Sequence, residues 1–148
     1  MELVELINEN IVKIPLAGNS KDDILKELIT VLKDAGYIDD VEETYRDVRK
    51  REDKGSTGLE NGIAIPHAKT STVKDMTLAL GIKPSGVDFE SLDGKPSKVF
   101  FLLLAPPDQA GPHIEALSEI ARLSRSRYFL ETLSNAKNPK EAVELFKS

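Results

Sequence analysis

Apolar residues follow two registers along this chain. Over residues 20–36, Ile24, Leu25, Leu28, Ile29 and Leu32 recur every three or four positions, the period of a helix with one buried face. Ser20 supplies a side-chain cap, Asp22 and Asp23 suit the positive end of the helix, and Gly36 is a stop. A second helix is predicted over DDVEETYRDVRKRE, with Val41, Tyr45 and Val48 one turn apart. The helical period returns after Pro112, where Ile114, Leu117, Ile120, Ala121 and Ser124 share a face of HIEALSEIARLSRS. Residues 128–136 read as a further helix. The last opens at NPKEAVELF, with Asn138 as cap and Pro139 in the first helical position.

The other register belongs to strands. Residues 10–16 mix β-branched and polar side chains near Pro15 and read as an edge strand. Short apolar runs at 63–66 and 76–83 predict two more, with 87–89 as a hairpin extension and the Asp-Gly pair of LDGK as a tight turn. Residues 99–105 are nearly all apolar, which predicts a central strand covered on both faces. Between the second helix and these strands lies DKGSTGLENG, a glycine-rich loop. The order is strand, two helices, three or four strands, then two or three helices. It predicts an α/β fold with three α/β/α layers around a mixed central β-sheet. No repeat or low-complexity linker divides the 148 residues, so 1–148 reads as one domain.

Composition narrows the function classes. The formal charge of −5 argues against a nucleic-acid partner, which calls for a basic face. With no cysteine, disulfides, thiolate metal sites and cysteine nucleophiles are excluded. The opening MELVELINEN lacks the pattern of a signal peptide, and the longest apolar run, at 99–107, is too short to cross a bilayer. A cytoplasmic protein is expected, with any membrane link made through a partner.

The candidate chemistry centres on GIAIPHAK, where His67 follows a short strand and Pro66. Proline cannot donate to a ladder, so the strand is expected to end there and leave His67 at the sheet rim, where sites tend to lie. The amides of Ser56, Thr57 and Gly58 are candidates for an anion-binding nest, and Ile63, Leu59 and Ala110 for an apolar surround. The other histidine, His113, falls at a helix start, which offers free amides and a positive dipole end. Arg51 closes the second helix just before the loop, and its planar fork suits phosphate oxygens. Two imidazoles, a guanidinium and helix-end amides suit phosphoryl transfer, where positioning and charge neutralisation are most of the catalysis. Each residue also has a plainer reading: His67 as a turn residue, Arg51 as part of a solvated helix end, His113 as a cap. Two histidines without a third ligand make a poor zinc site, and no Gly-Lys-Ser/Thr follows the loop as a nucleotide-binding motif requires. The residues by themselves support an anion site near His67.

The run Arg51–Glu52, then GSTGLENGIAIPHAK, then LLLAPPDQAGPHIEALSEIARL, resembles the enzyme IIA domains of the fructose–mannitol class. These belong to the bacterial phosphoenolpyruvate-dependent sugar phosphotransferase system (PTS). The likeness covers essentially the whole chain. The spacings of 16 residues from Arg51 to His67 and 46 on to His113 fit the mannitol branch. The resemblance implies a PTS phosphotransferase component, a type-2 enzyme IIA domain with a mixed sheet between helices. His67 would take a phosphoryl group on Nε2 from the carrier protein HPr. It would pass the group to a cysteine of an enzyme IIB domain, which phosphorylates sugar entering through the membrane enzyme IIC. Arg51 and His113 match the supporting residues, and neither a metal nor another cofactor is implied. A nitrogen-related, regulatory branch carries the same motif and moves no sugar. A binding module on this fold and a metal-assisted hydrolase are further alternatives.

Overall fold

The computed structural model describes residues 3–147. Two short 3-10 turns, Leu3–Leu6 and Glu9–Ile11, lead into strand β1 (Val12–Lys13) and helices α1 (Lys21–Asp34) and α2 (Val41–Glu52). Four strands follow: β2 (Ile63–Ala64), β3 (His67–Lys69), β4 (Thr77–Val87) and β5 (Ser97–Ala105). Helices α3 (Ala110–Leu123), α4 (Arg127–Ser134) and α5 (Pro139–Lys147) complete the order.

The sheet is mixed, as the block of strands predicts. β4 and β5 form an antiparallel hairpin at its centre, β1 lies parallel to β4 on one side, and β2 and β3 both lie parallel to β5 on the other. Every residue of β5 from Val99 to Ala105 is buried. Successive side chains of a strand point to opposite faces. Accordingly Phe100 meets Phe89, whose ring lies under Lys21 of α1, while Phe101 meets Phe146 of α5. Helices therefore cover both faces, in three layers.

Local rules account for most elements. Ser20 accepts from the amide of Asp23, Asp40 from that of Glu43 and Asn138 from that of Glu141, so α1, α2 and α5 all begin on side-chain caps. The five apolar residues predicted for the α1 face are all fully buried. Each such side chain contributes about 1.5–3 kcal/mol relative to exposure.

Four expectations need correction. The edge strand is only two residues long, because the Asn8 side chain accepts from the amide of Asn10 and winds residues 9–11 into a 3-10 turn. β4 runs beyond Lys83 through Pro84, with its pairing to β5 irregular between Ile82 and Val87, where a proline can be accommodated. The buried residues of α2 are Thr44, Val48 and Glu52 rather than Val41 and Tyr45, because Thr44 and Glu52 find polar partners. In α3 the buried line is His113, Ala116 and Ile120, and Ile114 is 62% exposed.

Candidate functional site

His67 is not past the end of its strand. The ladder breaks at Ile65 and Pro66 and then resumes: Ile63 pairs with Val99, Ala64 with Phe100 and His67 with Leu103. Four residues on one strand still span four on the other, so Pro66 interrupts the pairing without shifting its register. Its carbonyl still accepts from Leu103 at 3.0 Å. Proline removes only the donor, and the parallel partner uses the acceptor it retains.

The ring of His67 is oriented by its own backbone. Nδ1 lies 2.8 Å from the carbonyl oxygen of Ile65, and a carbonyl can only accept, so in the neutral ring Nδ1 carries the proton. Nε2 then holds the free lone pair. Among the described residues it has no hydrogen-bond partner, and it is not wholly buried. Burial lowers the ring's pKa below its ordinary value, and the Arg51 charge adds to this against the Ile65 hydrogen bond and Glu52. The ring is neutral at pH 7.

His113 lies in the first turn of α3, buried against His67 with ring centroids 5.7 Å apart and planes inclined by 69°. Its pKa falls to about 4, chiefly through burial, with the charges of His67 and Lys69 adding. Its Nε2 is buried and has no hydrogen-bond partner among the described residues. Buried polar atoms are rarely left so, and here the ring that carries the orphan packs against that of His67. Arg51, in the last turn of α2, donates from Nη1 to the carbonyl of Gly55 at 2.9 Å and keeps its remaining donors.

All three residues singled out from the sequence, Arg51, His67 and His113, line one open cleft of about 450 Å³. Lys50, Lys54 and Lys69 add positive charge there, and Asp47 is the one acid among the lining residues. In a chain of formal charge −5, this local excess of cations suits the cleft to an anion. The apolar surround differs from expectation. Ile114 and Leu117 of α3 border the cleft, while Ile63 is wholly buried and neither Leu59 nor Ala110 lines it. The nest does not form as expected either. The amide of Thr57 donates to Glu52 Oε2 and that of Gly58 to Ser56 Oγ, so both are already engaged. The amide of His113 is likewise taken, by Gln109 within the helix. Charge in the cleft therefore comes from side chains.

Another cleft, of about 310 Å³, lies at the far end of β5 and includes the exposed Lys95, Lys98 and Arg127 beside Asp93 and Glu131. Its charges are mixed and it holds neither histidine. Among the described residues no group of three His, Asp or Glu side chains is gathered as metal ligands.

The protein is of the α/β class, with a mixed sheet that presents an oriented neutral imidazole to a basic cleft and a second neutral imidazole packed against it. The chain belongs to the family described as phosphoenolpyruvate-dependent sugar phosphotransferase system, EIIA 2, which it matches over residues 5–148. It is 33% identical over 145 residues to the PTS system fructose-specific EIIABC component of Bacillus subtilis, covering 98% of this chain and 23% of that protein. The chain thus spans less than a quarter of that relative's length. The nitrogen regulatory protein IIA-Ntr of Neisseria meningitidis has the same fold at 28% identity, with a TM-score of 0.87 over 97% of both chains. The enzyme IIAMTL of Escherichia coli, solved in complex with phosphorylated enzyme IIBMTL, shares the fold at 17% identity, with a TM-score of 0.81 over 95% of this chain and 96% of that one. Among the described residues no helix is long and apolar enough to cross a membrane.

Proposed function

We propose that the chain is a cytoplasmic phosphoryl carrier of the sugar PTS, with His67 as its phosphorylated residue. Nε2 attacks the phosphorus of phosphohistidine on HPr. A nitrogen–phosphorus bond forms at His67 as the one on HPr breaks, and the HPr ring leaves with its lone pair restored. One N–P bond replaces another, so little driving force is needed and the group can move on to an enzyme IIB domain and so to sugar at enzyme IIC. The transferring group gathers negative charge on its equatorial oxygens, which the free donors of Arg51 are suited to spread. In its Nε2–H tautomer, the neutral His113 donates to a phosphoryl oxygen and so gains the acceptor that it lacks.

The observation that carries this reading is the hydrogen bond from His67 Nδ1 to Ile65, which leaves the lone pair on Nε2 of a ring that lines the cleft. The test is incubation with phosphoenolpyruvate, enzyme I and HPr, followed by mass mapping. One phosphoryl group on His67, absent from His67→Ala, is expected. Unchanged labelling of that variant would move the acceptor to another residue, and a wild type that takes no label would transfer the reading to a binding module. The likeness to the Neisseria regulatory protein speaks for a second role, regulation without sugar. Label lost to an enzyme IIB domain supports transport, and label retained against every candidate supports regulation.

A further inference from the structure

The loop expected to form an anion nest already holds an anion, and it is the protein's own. Glu52 is buried at the end of α2. Its Oε2 accepts from the Thr57 amide at 2.9 Å and pairs with Lys21 Nζ at 2.7 Å, and its Oε1 accepts from the Thr57 hydroxyl at 2.6 Å. All three donors are needed, because a buried carboxylate without them is costly. Lys21 is braced in turn by Glu90 at 3.0 Å and by the Phe89 ring, whose centroid is 4.8 Å away. Glu90 has φ of 55°, in the left-handed region that favours glycine.

From Thr57 the bonding continues to the reacting ring. The Thr57 carbonyl accepts from the Ile65 amide at 3.0 Å, and the Ile65 carbonyl accepts from His67 Nδ1 at 2.8 Å. The same loop supplies the Gly55 carbonyl that holds Arg51. Neither Glu52 nor Thr57 lines the cleft, so neither touches a group bound on His67.

We propose that Glu52 and Thr57 are positioning residues, which hold the peptide of Ile65 so that His67 keeps its proton on Nδ1 and its lone pair on Nε2. Their effect on transfer rests on the phosphoryl-carrier reading, whereas the tautomer of His67 does not. A carboxylate with a merely structural part would change stability and leave the tautomer alone.

The tautomer is read from long-range 15N–1H spectra of the unphosphorylated protein at about pH 8, where a ring of lowered pKa is neutral. Wild type is expected in the Nδ1–H form. Thr57→Val, nearly isosteric but without the hydroxyl, is expected to admit the Nε2–H form, as is Glu52→Gln. Thr57→Ser restores the wild-type spectrum. Phosphoryl uptake from phospho-HPr falls about tenfold or more in Thr57→Val and recovers in Thr57→Ser. An Nε2–H ring in wild type, or a folded Thr57→Val with the wild-type tautomer whatever its rate, would overturn the proposal. If Glu52→Gln does not fold, wild type and the Thr57 pair still decide. If wild type takes no phosphoryl group at all, the functional reading fails while the spectra continue to judge the positioning role.

Discussion

His67 and His113 meet edge to face, their ring centroids 5.7 Å apart, and the buried member of the pair has the pKa pushed down to about 4. Two imidazolium rings at this distance repel, and the cleft already carries Arg51 and three lysines. Both rings are therefore neutral in the resting protein. Phosphorylation of His67 would replace a neutral neighbour with a dianionic group, and an opposite charge at this range favours the protonated form. The His113 pKa is expected to rise by about one to three units on phosphorylation. NMR titration of the two forms measures it, and an unchanged value would separate His113 from the phosphoryl group.

The same two histidines set a pH dependence of stability. Both folded pKa values lie below the unfolded value of about 6.5. Below that value the unfolded chain binds protons that the folded chain refuses. The stabilisation is thus fully present above about pH 6.5 and is lost as pH falls through about 4. His113→Phe removes one of the titrating groups and the unpartnered nitrogen while keeping a buried ring. Its melting temperature is expected to fall less than that of wild type between pH 7 and pH 4. Parallel curves in thermal melts would contradict the assignment.

Arg51 tests whether a planar fork or only a charge is required. Its Nη1 is held by Gly55, which fixes the plane in which the other donors lie. Arg51→Lys keeps the charge and loses the fork, so it is expected to slow transfer nearly as much as Arg51→Gln. A loss of about 10²–10³-fold is expected for Gln. Single-turnover rates with phospho-HPr measure both variants. Full activity in the lysine variant would reduce Arg51 to a point charge.

Gly58 is where the loop crosses the 88–91 segment at closest approach. A Cβ there would lie 2.6 Å from Ser91 Oγ, 2.9 Å from Ser91 Cα and 3.0 Å from the Phe89 carbonyl oxygen. Two of these atoms are backbone and cannot swing aside. Gly58→Ala is expected to cost about 1–3 kcal/mol, read as a lowered melting temperature. A melting temperature equal to wild type would mean that the two segments part easily.

Much of the fold was legible because local rules and burial agree in it. The α1 stripe, its Ser20 cap and the apolar β5 run each have one consistent reading. The three residues that meet in the cleft were also legible as types: a histidine after a strand, a histidine at a helix start, an arginine at a helix end. The parts that were not legible depend on pairing across long sequence distances. Pro66 looks like the end of a strand unless Leu103 is known to use its carbonyl. Glu52 looks like one more solvated charge in RKRE, because Lys21, its cationic partner, is 31 residues away in the chain. Ile114 fits the apolar stripe of its helix, yet the face of α3 that turns inward is chosen by where His113 is buried. Ile114 and Leu117 then become the border of the cleft.

Since His67 belongs to a strand laced to the centre of the sheet, its ring is held in place. A carrier on a swinging arm ferries its cargo between stations. As the proposed carrier, this one would be a fixed dock, with all movement left to the proteins that visit it. Throughput then depends on how fast each visitor arrives, turns into line and leaves, and so should slow as the solvent is thickened.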